Sequence, residues 1–71
     1  MALEFLGNSG TSQGGGCPSF YRNTQTGDIV VQGNWLTEPE LIAQLRDVKE
    51  GEGAVVVPAV LFRHAPKITS G

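Results

Sequence analysis

The chain has very few of the groups that stabilise small domains. Its 71 residues include one cysteine and one histidine, Cys17 and His64. It can therefore form no internal disulfide, and these two residues cannot supply the four ligands of a structural zinc site. A core in a domain of this size seldom contributes more than about 3 to 5 kcal/mol. We therefore expect the chain to associate, as a homodimer or with another protein, and to bind no cofactor or metal.

The same scarcity argues against an enzyme. A nucleophilic thiol needs a base, and His64 is the one candidate base for Cys17. The glycines at 14–16 lack the Lys-Ser/Thr pair of a phosphate-binding loop and lead into a predicted strand. We predict a non-enzymatic protein, and an antitoxin-like or thiol-dependent role for Cys17 is a minor alternative.

Long apolar runs and excess positive charge are also missing. The longest apolar stretch, 54–62, contains Pro58 and falls well short of the roughly 20 residues of a membrane span. The first six residues carry no basic residue, so we predict no secretory signal. Together with one unpaired cysteine, this predicts a cytoplasmic protein without a membrane partner.

Five basic residues stand against seven acidic ones, for a net charge of -2. This balance argues against tight direct binding of nucleic acid. Direct binding is kept as the second hypothesis, and it would use four scattered cations: Arg22, Arg46, Lys49 and Arg63.

The first half of the sequence contains patterns that predict β-strands. Residues 1–6 form a short apolar segment that predicts an edge strand, and 7–16 read as a flexible Gly/Ser linker. On such a tether, the strand could dock on its own domain or on a second copy. Aromatic and β-branched residues at 19–22 and 29–32 then predict a β-hairpin, with Gly27 at a positive φ and the side chains of Asn23 and Asp28 bonding the turn.

Both faces of this hairpin carry large apolar groups. By strand alternation, Phe20 and Tyr21 point to opposite faces of the sheet, and Val30 points to the face opposite that of Ile29 and Val31. We expect one face to meet a helix and the other to meet a partner sheet.

The strongest local signature predicts a helix over 37–49. Thr37 and Glu40 have the spacing of a capping box, and Leu36 and Leu41 have that of a hydrophobic staple. Apolar residues recur at helical spacing, and Gly51 is the expected stop. The apolar positions are Leu41, Ile42, Leu45 and Val48.

The remaining elements complete the predicted fold. Residues 54–57 read as a buried strand, 59–64 as a helical turn or a continued strand, with the turn favoured, and 66–71 as a disordered tail. The fold class is thus α+β: a small antiparallel sheet, made of the hairpin, a third strand and an N-terminal edge strand, packed on one α-helix. The single domain spans 17–65.

Large aromatics are the best interface candidates. Trp35 lies between the hairpin and the helix, where a core position is expected first and an interface position second. The predicted interface residues are Phe20, Tyr21, Val30 and Trp35.

Three segments carry a resemblance: 15–21 (GGCPSFY), 26–33 (TGDIVVQG) and 55–58 (VVVP). With them the chain resembles, over most of 3–64, the small uncharacterised proteins of Streptomyces and related actinobacteria that are encoded beside helix-turn-helix regulators. More distantly, it is similar to the small acidic developmental-regulator partners of the same bacteria, from which it departs by inserting the helix at 37–49. The resemblance implies a regulatory accessory protein that acts, as a dimer, on a DNA-binding protein and not on DNA.

Overall fold

The computed structural model describes residues 2–10 and 16–67. The architecture is mixed but dominated by antiparallel sheet, with β1-β2-β3 in one sheet and β4-β5 in a second. The elements in chain order are β1 (Leu3–Asn8), β2 (Ser19–Asn23), β3 (Ile29–Gln32), β4 (Asn34–Trp35), α1 (Pro39–Ile42), β5 (Val55–Val56) and a 3₁₀ helix (Ala59–His64).

The N-terminal segment forms the predicted edge strand. β1 pairs antiparallel with β2 of the same chain, with Phe5 opposite Tyr21. It continues past residue 6, and the N–H of Ser9 then donates to the carbonyl of Pro18 at 3.0 Å. The predicted flexible linker is therefore wrong at its start, because that backbone is hydrogen-bonded. Residues 11–15 of the predicted linker lie outside the described residues, as do 68–71 of the predicted tail.

The β2–β3 hairpin forms as predicted, with one change in its turn. Asn23 Oδ1 accepts a hydrogen bond from the N–H of Gln25 at 2.9 Å. Gly27 has a φ of 82°, a left-handed conformation that glycine adopts without Cβ strain. Asp28 contributes its backbone N–H instead of its side chain, donating to Thr26 Oγ1 at 3.1 Å. The turn is thus closed by Asn23 and Thr26.

β5 does not join the hairpin, spans only Val55–Val56 and is not buried, so the prediction of a buried strand at 54–57 is wrong in its pairing, length and burial. β5 pairs with β4, with Trp35 opposite Val55, and the Leu36 N–H to Ala54 carbonyl bond of 2.9 Å extends the ladder. The free edge of β2 is already occupied by β1, and one glycine separates β3 from β4. The chain therefore leaves the first sheet and builds a second one.

α1 is a single turn, much shorter than the helix predicted over 37–49. Pro39 stands in its first turn as predicted, but the N-cap is Glu38 and makes no side-chain capping bond, so the capping box does not form. Asp47 adopts a left-handed φ of 56°, which ends any helix before Gly51. Isolated helices shorter than about 12 residues are marginal in water. Since every residue of α1 is exposed, no packing stabilises a longer helix.

The core lies between β2 and the 3₁₀ helix. Leu61 on the helix is 0% exposed and Phe20 on β2 is 3% exposed; they are the buried hydrophobic side chains of the described residues. The rings of Phe20 and Phe62 stack with centroids 5.4 Å apart. A helical turn after Pro58 was predicted, and the structure confirms it. The element that covers the sheet is therefore the 3₁₀ helix and not the predicted α-helix.

Gly7 of β1 fixes how closely the 3₁₀ helix approaches the sheet. A Cβ at this position would overlap the imidazole of His64, and its φ of 153° is one that side chains rarely adopt. We expect Gly7→Ala to lower the free energy of unfolding by about 1 to 3 kcal/mol, measured by urea denaturation. In a His64→Ala background the penalty should shrink. An equal penalty in both backgrounds would show that the imidazole is not the obstacle.

Candidate interaction surface

One face of the three-stranded sheet is left uncovered by the elements that the structure describes. The 3₁₀ helix packs on the face that carries Phe20, and strand alternation places Tyr21 on the other. The register aligns Phe5, Tyr21 and Val30 side by side across the three strands. We call this set, with Leu3, the open face. Val30 is 39% exposed, and Leu3 and Phe5 are more than half exposed.

The aromatic residues of the open face are held in place. The rings of Phe5 and Tyr21 meet edge to face with centroids 5.7 Å apart. The hydroxyl of Tyr21 donates to Gln32 Oε1 at 2.8 Å, and Gln32 Nε2 donates in turn to the carbonyl of Cys17 at 3.3 Å. An ordered aromatic surface loses little side-chain entropy when a partner binds.

The open face carries no charge. Glu4 and Arg22 alternate to the opposite face, where they form an ion pair at 3.4 Å. Such a half-exposed pair contributes about 1 kcal/mol or less to stability. The open face is therefore neutral and apolar.

The structure separates the four predicted interface residues. Tyr21 and Val30 lie on the open face, whereas Phe20 lies in the core, so the prediction that Phe20 faces a partner is wrong for this structure. Phe20 is buried because the 3₁₀ helix packs against its face of β2 and its ring stacks on that of Phe62. One hairpin face is covered by the 3₁₀ helix and not by the predicted α-helix, and the partner sheet expected on the other face stays a prediction.

The second surface is the arm, residues 34–56, which contains β4, α1 and β5. Trp35 at its base is 72% exposed, and the indole lies over Gly53 on the returning segment. The expectation that Trp35 belongs to the core is therefore wrong. Its strand pairs with the two-residue β5, which is too short to cover an indole.

The arm also exposes the apolar stripe, a name we keep for Leu41, Ile42, Leu45 and Val48. The predicted helix was expected to bury these four side chains against the sheet. In the structure they are exposed, because α1 ends after one turn. The arm thus combines an exposed indole, four exposed aliphatic side chains and a large share of the chain's acidic residues.

Charge is divided unevenly between the arm and the rest of the chain. The arm holds five acidic and two basic residues, for a formal charge of -3. Because the whole chain has a net charge of -2, the residues outside the arm carry +1. The acidic residues are Glu38, Glu40, Asp47, Glu50 and Glu52. Because of this asymmetry, a basic surface would be attracted to the arm more strongly than to the rest of the chain.

The four candidate nucleic-acid contacts lie on different parts of the fold. Arg22 is on β2 in its ion pair with Glu4, and Arg63 is on the 3₁₀ helix. Arg46 and Lys49 lie on the arm, which is acidic overall. The structure does not place all four on one element or in one basic segment.

Cys17 and His64 are held by different contacts. The carbonyl of Cys17 accepts from Ser19 Oγ at 2.7 Å, which fixes the entry to β2. His64 packs its ring against Gly7 of β1. Among residues 2–10 and 16–67 no group of three or more His, Cys, Asp or Glu side chains could hold a metal ion.

Sequence reasoning missed two parts of the exposed surface. Leu3 and Phe5 were assigned to an edge strand, but their alternation already indicates one shared face, which becomes part of the open face on pairing with β2. The apolar stripe was recognised as apolar but was assigned to the interior. Its exposure has no local sequence signal, since it depends on which element covers the sheet.

No helix within the described residues is long and apolar enough to cross a bilayer. The chain matches no protein-family model, no curated protein and no solved structure.

Proposed function

We propose that this chain is a non-enzymatic protein-interaction module of the cytoplasm, which acts as a regulatory accessory partner of a DNA-binding transcription regulator. The observation that carries the proposal is Trp35, which is 72% exposed on a paired strand. Tryptophan is enriched among the residues that dominate binding energy at interfaces. An exposed indole held by a β-ladder is poorly explained by stability alone.

The chemistry of the arm supports a basic protein as the partner. DNA-binding proteins contact phosphates with Lys and Arg, so the surfaces that contact DNA are strongly positive when no DNA is bound. The arm offers a charge of -3 together with the exposed indole of Trp35. Such a surface attracts a regulator and competes with its DNA for the same cations. The chain would then act on the regulator without touching DNA.

The proposal is tested by cross-linking in cells of the native host. A photo-reactive phenylalanine analogue replaces Trp35 in the full chain, and a matched chain carries it at Val60 on the 3₁₀ helix. We expect irradiation to give an adduct with a DNA-binding regulator from position 35 and not from position 60. Adducts confined to proteins of another class would overturn the proposed partner.

The two alternatives make different measurable claims. Direct nucleic-acid binding predicts an affinity for generic duplex DNA at low salt that falls steeply as salt is added. We expect no such complex at micromolar DNA, and a steep salt dependence would contradict the proposal. For the thiol alternative, Cys17→Ser should leave the cross-link from position 35 unchanged.

A further inference from the structure

The open face and the apolar stripe are two unpartnered surfaces of one chain that match each other in size. A helix over the predicted 37–49 would be about 20 Å long and about 10 Å wide. A six-residue strand such as β1 is about 20 Å long, and three strands span about 14 Å. One such helix would therefore cover the open face.

The arm's own connections keep the stripe away from the open face of its own chain. Gly33 alone joins β3 to β4, and a Cβ there would overlap Val57 just beyond β5. Two residues after β5, the chain enters the 3₁₀ helix, which packs on the covered face. The base of the arm is thus tied to the side of the sheet opposite the open face.

The molecule is less compact than a typical domain of its length. The Cα radius of gyration is 13.8 Å, whereas a compact domain of this length has about 11 Å. The apolar stripe consequently stays exposed, and α1 stays one turn long for want of a surface to pack on.

Charge favours a second copy as the occupant. The open face is neutral, and the sheet and 3₁₀ helix around it belong to the part of the chain with a charge of +1, whereas the arm carries -3. An arm laid on another copy's open face therefore meets no like charge. Two arms laid on each other would bring two charges of -3 together.

We propose that two copies of the chain exchange arms, so that the apolar stripe of each copy packs as a longer helix on the open face of the other. The exchange is reciprocal and closes as a two-fold dimer. Leu41, Ile42, Leu45 and Val48 would meet Phe5, Tyr21 and Val30 of the second copy. Trp35 and the acidic residues are left for the regulator, so this dimer does not rest on the proposed function.

The test uses one charge on each side of the proposed contact. Val30→Glu places a carboxylate on the open face, and Leu45→Lys places an ammonium group on the stripe. Val60→Glu on the 3₁₀ helix is the control, because Val60 is 40% exposed and Val30 is 39% exposed. Sedimentation of the full chain measures the dissociation constant, and circular dichroism measures helix content over the same concentrations.

We expect the unmodified chain to dimerise at micromolar concentration, with helix content that rises as the dimer forms. Each of the two variants should weaken the dimer on the order of 30-fold, and the control should change it less than about 2-fold. Mixing the two variants should restore association, because the intact arm of the Val30→Glu chain meets the intact face of the Leu45→Lys chain, and the two introduced charges of opposite sign meet in the other contact.

Three results would overturn the exchange. A monomer with constant helix content would place the arm on its own sheet or leave it free. A Leu45→Lys chain that dimerises normally would indicate sheet-to-sheet pairing. Failure of the mixture to associate, while both variants keep their strand signal, would exclude complementary contacts. If Val30→Glu loses its fold, Phe5→Glu on β1 takes its place in the same mixture.

Discussion

Replacing Leu61 with alanine is expected to unfold the chain. Leu61 is 0% exposed on the 3₁₀ helix, and with Phe20 it forms the buried apolar core of the described residues. Removing a buried leucine side chain lowers stability by about 2 to 5 kcal/mol. A domain of this size has about 3 to 5 kcal/mol from its core in total. One substitution should therefore remove most or all of the folding free energy.

Circular dichroism and urea denaturation of the Leu61→Ala chain are the direct measurements. The matched control is Val60→Ala, one residue earlier on the same 3₁₀ helix but 40% exposed, which should cost well under 1 kcal/mol. If Leu61→Ala kept a cooperative transition within about 1 kcal/mol of the unmodified chain, the core would not be where the structure places it. A high protein concentration should partly rescue the variant if association contributes to stability.

The elements of this fold that local interactions specify could be predicted from the sequence, whereas those that depend on long-range packing could not. The β2–β3 hairpin is specified locally, since Asn23 and Gly27 close its turn and alternation sorts Phe20 from Tyr21. β1 was predicted as an edge strand on the same local grounds. These elements need no information from distant residues beyond strand pairing.

The helix at 37–49 shows where local signals fail. Thr37 and Glu40 have capping-box spacing, yet Glu38 is the N-cap and the helix stops after Ile42. A cap contributes about 1 kcal/mol, which does not offset the nucleation cost of a helix with no packed face. The sequence specifies which face of such a helix is apolar, but not whether a surface is available to receive it.

The candidate surface was predictable only in part for the same reason. All four aromatic and aliphatic candidates were predicted at an interface. Tyr21 and Val30 lie on the open face, Phe20 is buried, and Trp35, expected first in the core, is exposed. Whether an aromatic residue is core or surface depends on which element packs over it. Here the 3₁₀ helix covers Phe20, and only the short β5 faces the strand of Trp35.

Replacing Trp35 with alanine is expected to abolish most binding to the regulator while leaving the fold intact. The indole is 72% exposed and lies over Gly53, so its removal should change stability by about 0.5 kcal/mol or less. Truncating a dominant interface tryptophan costs about 2 kcal/mol or more in binding, which is about 30-fold in affinity. The measurement is titration of the regulator identified by cross-linking with the full chain, and urea denaturation followed by circular dichroism checks the fold.

Val56→Ala is the matched control for Trp35, because Val56 is also exposed and lies on the neighbouring strand of the same ladder. We expect this variant to bind within about 3-fold of the unmodified chain. Reversing two acidic residues of the arm, Glu50→Lys with Glu52→Lys, should slow association and flatten its salt dependence, because the arm loses its net negative charge. If Trp35→Ala bound normally but unfolded at a lower urea concentration, the indole would stabilise the fold by packing over Gly53. The regulator would then bind another surface. Loss of binding at unchanged stability is the result that only an interface role for Trp35 explains.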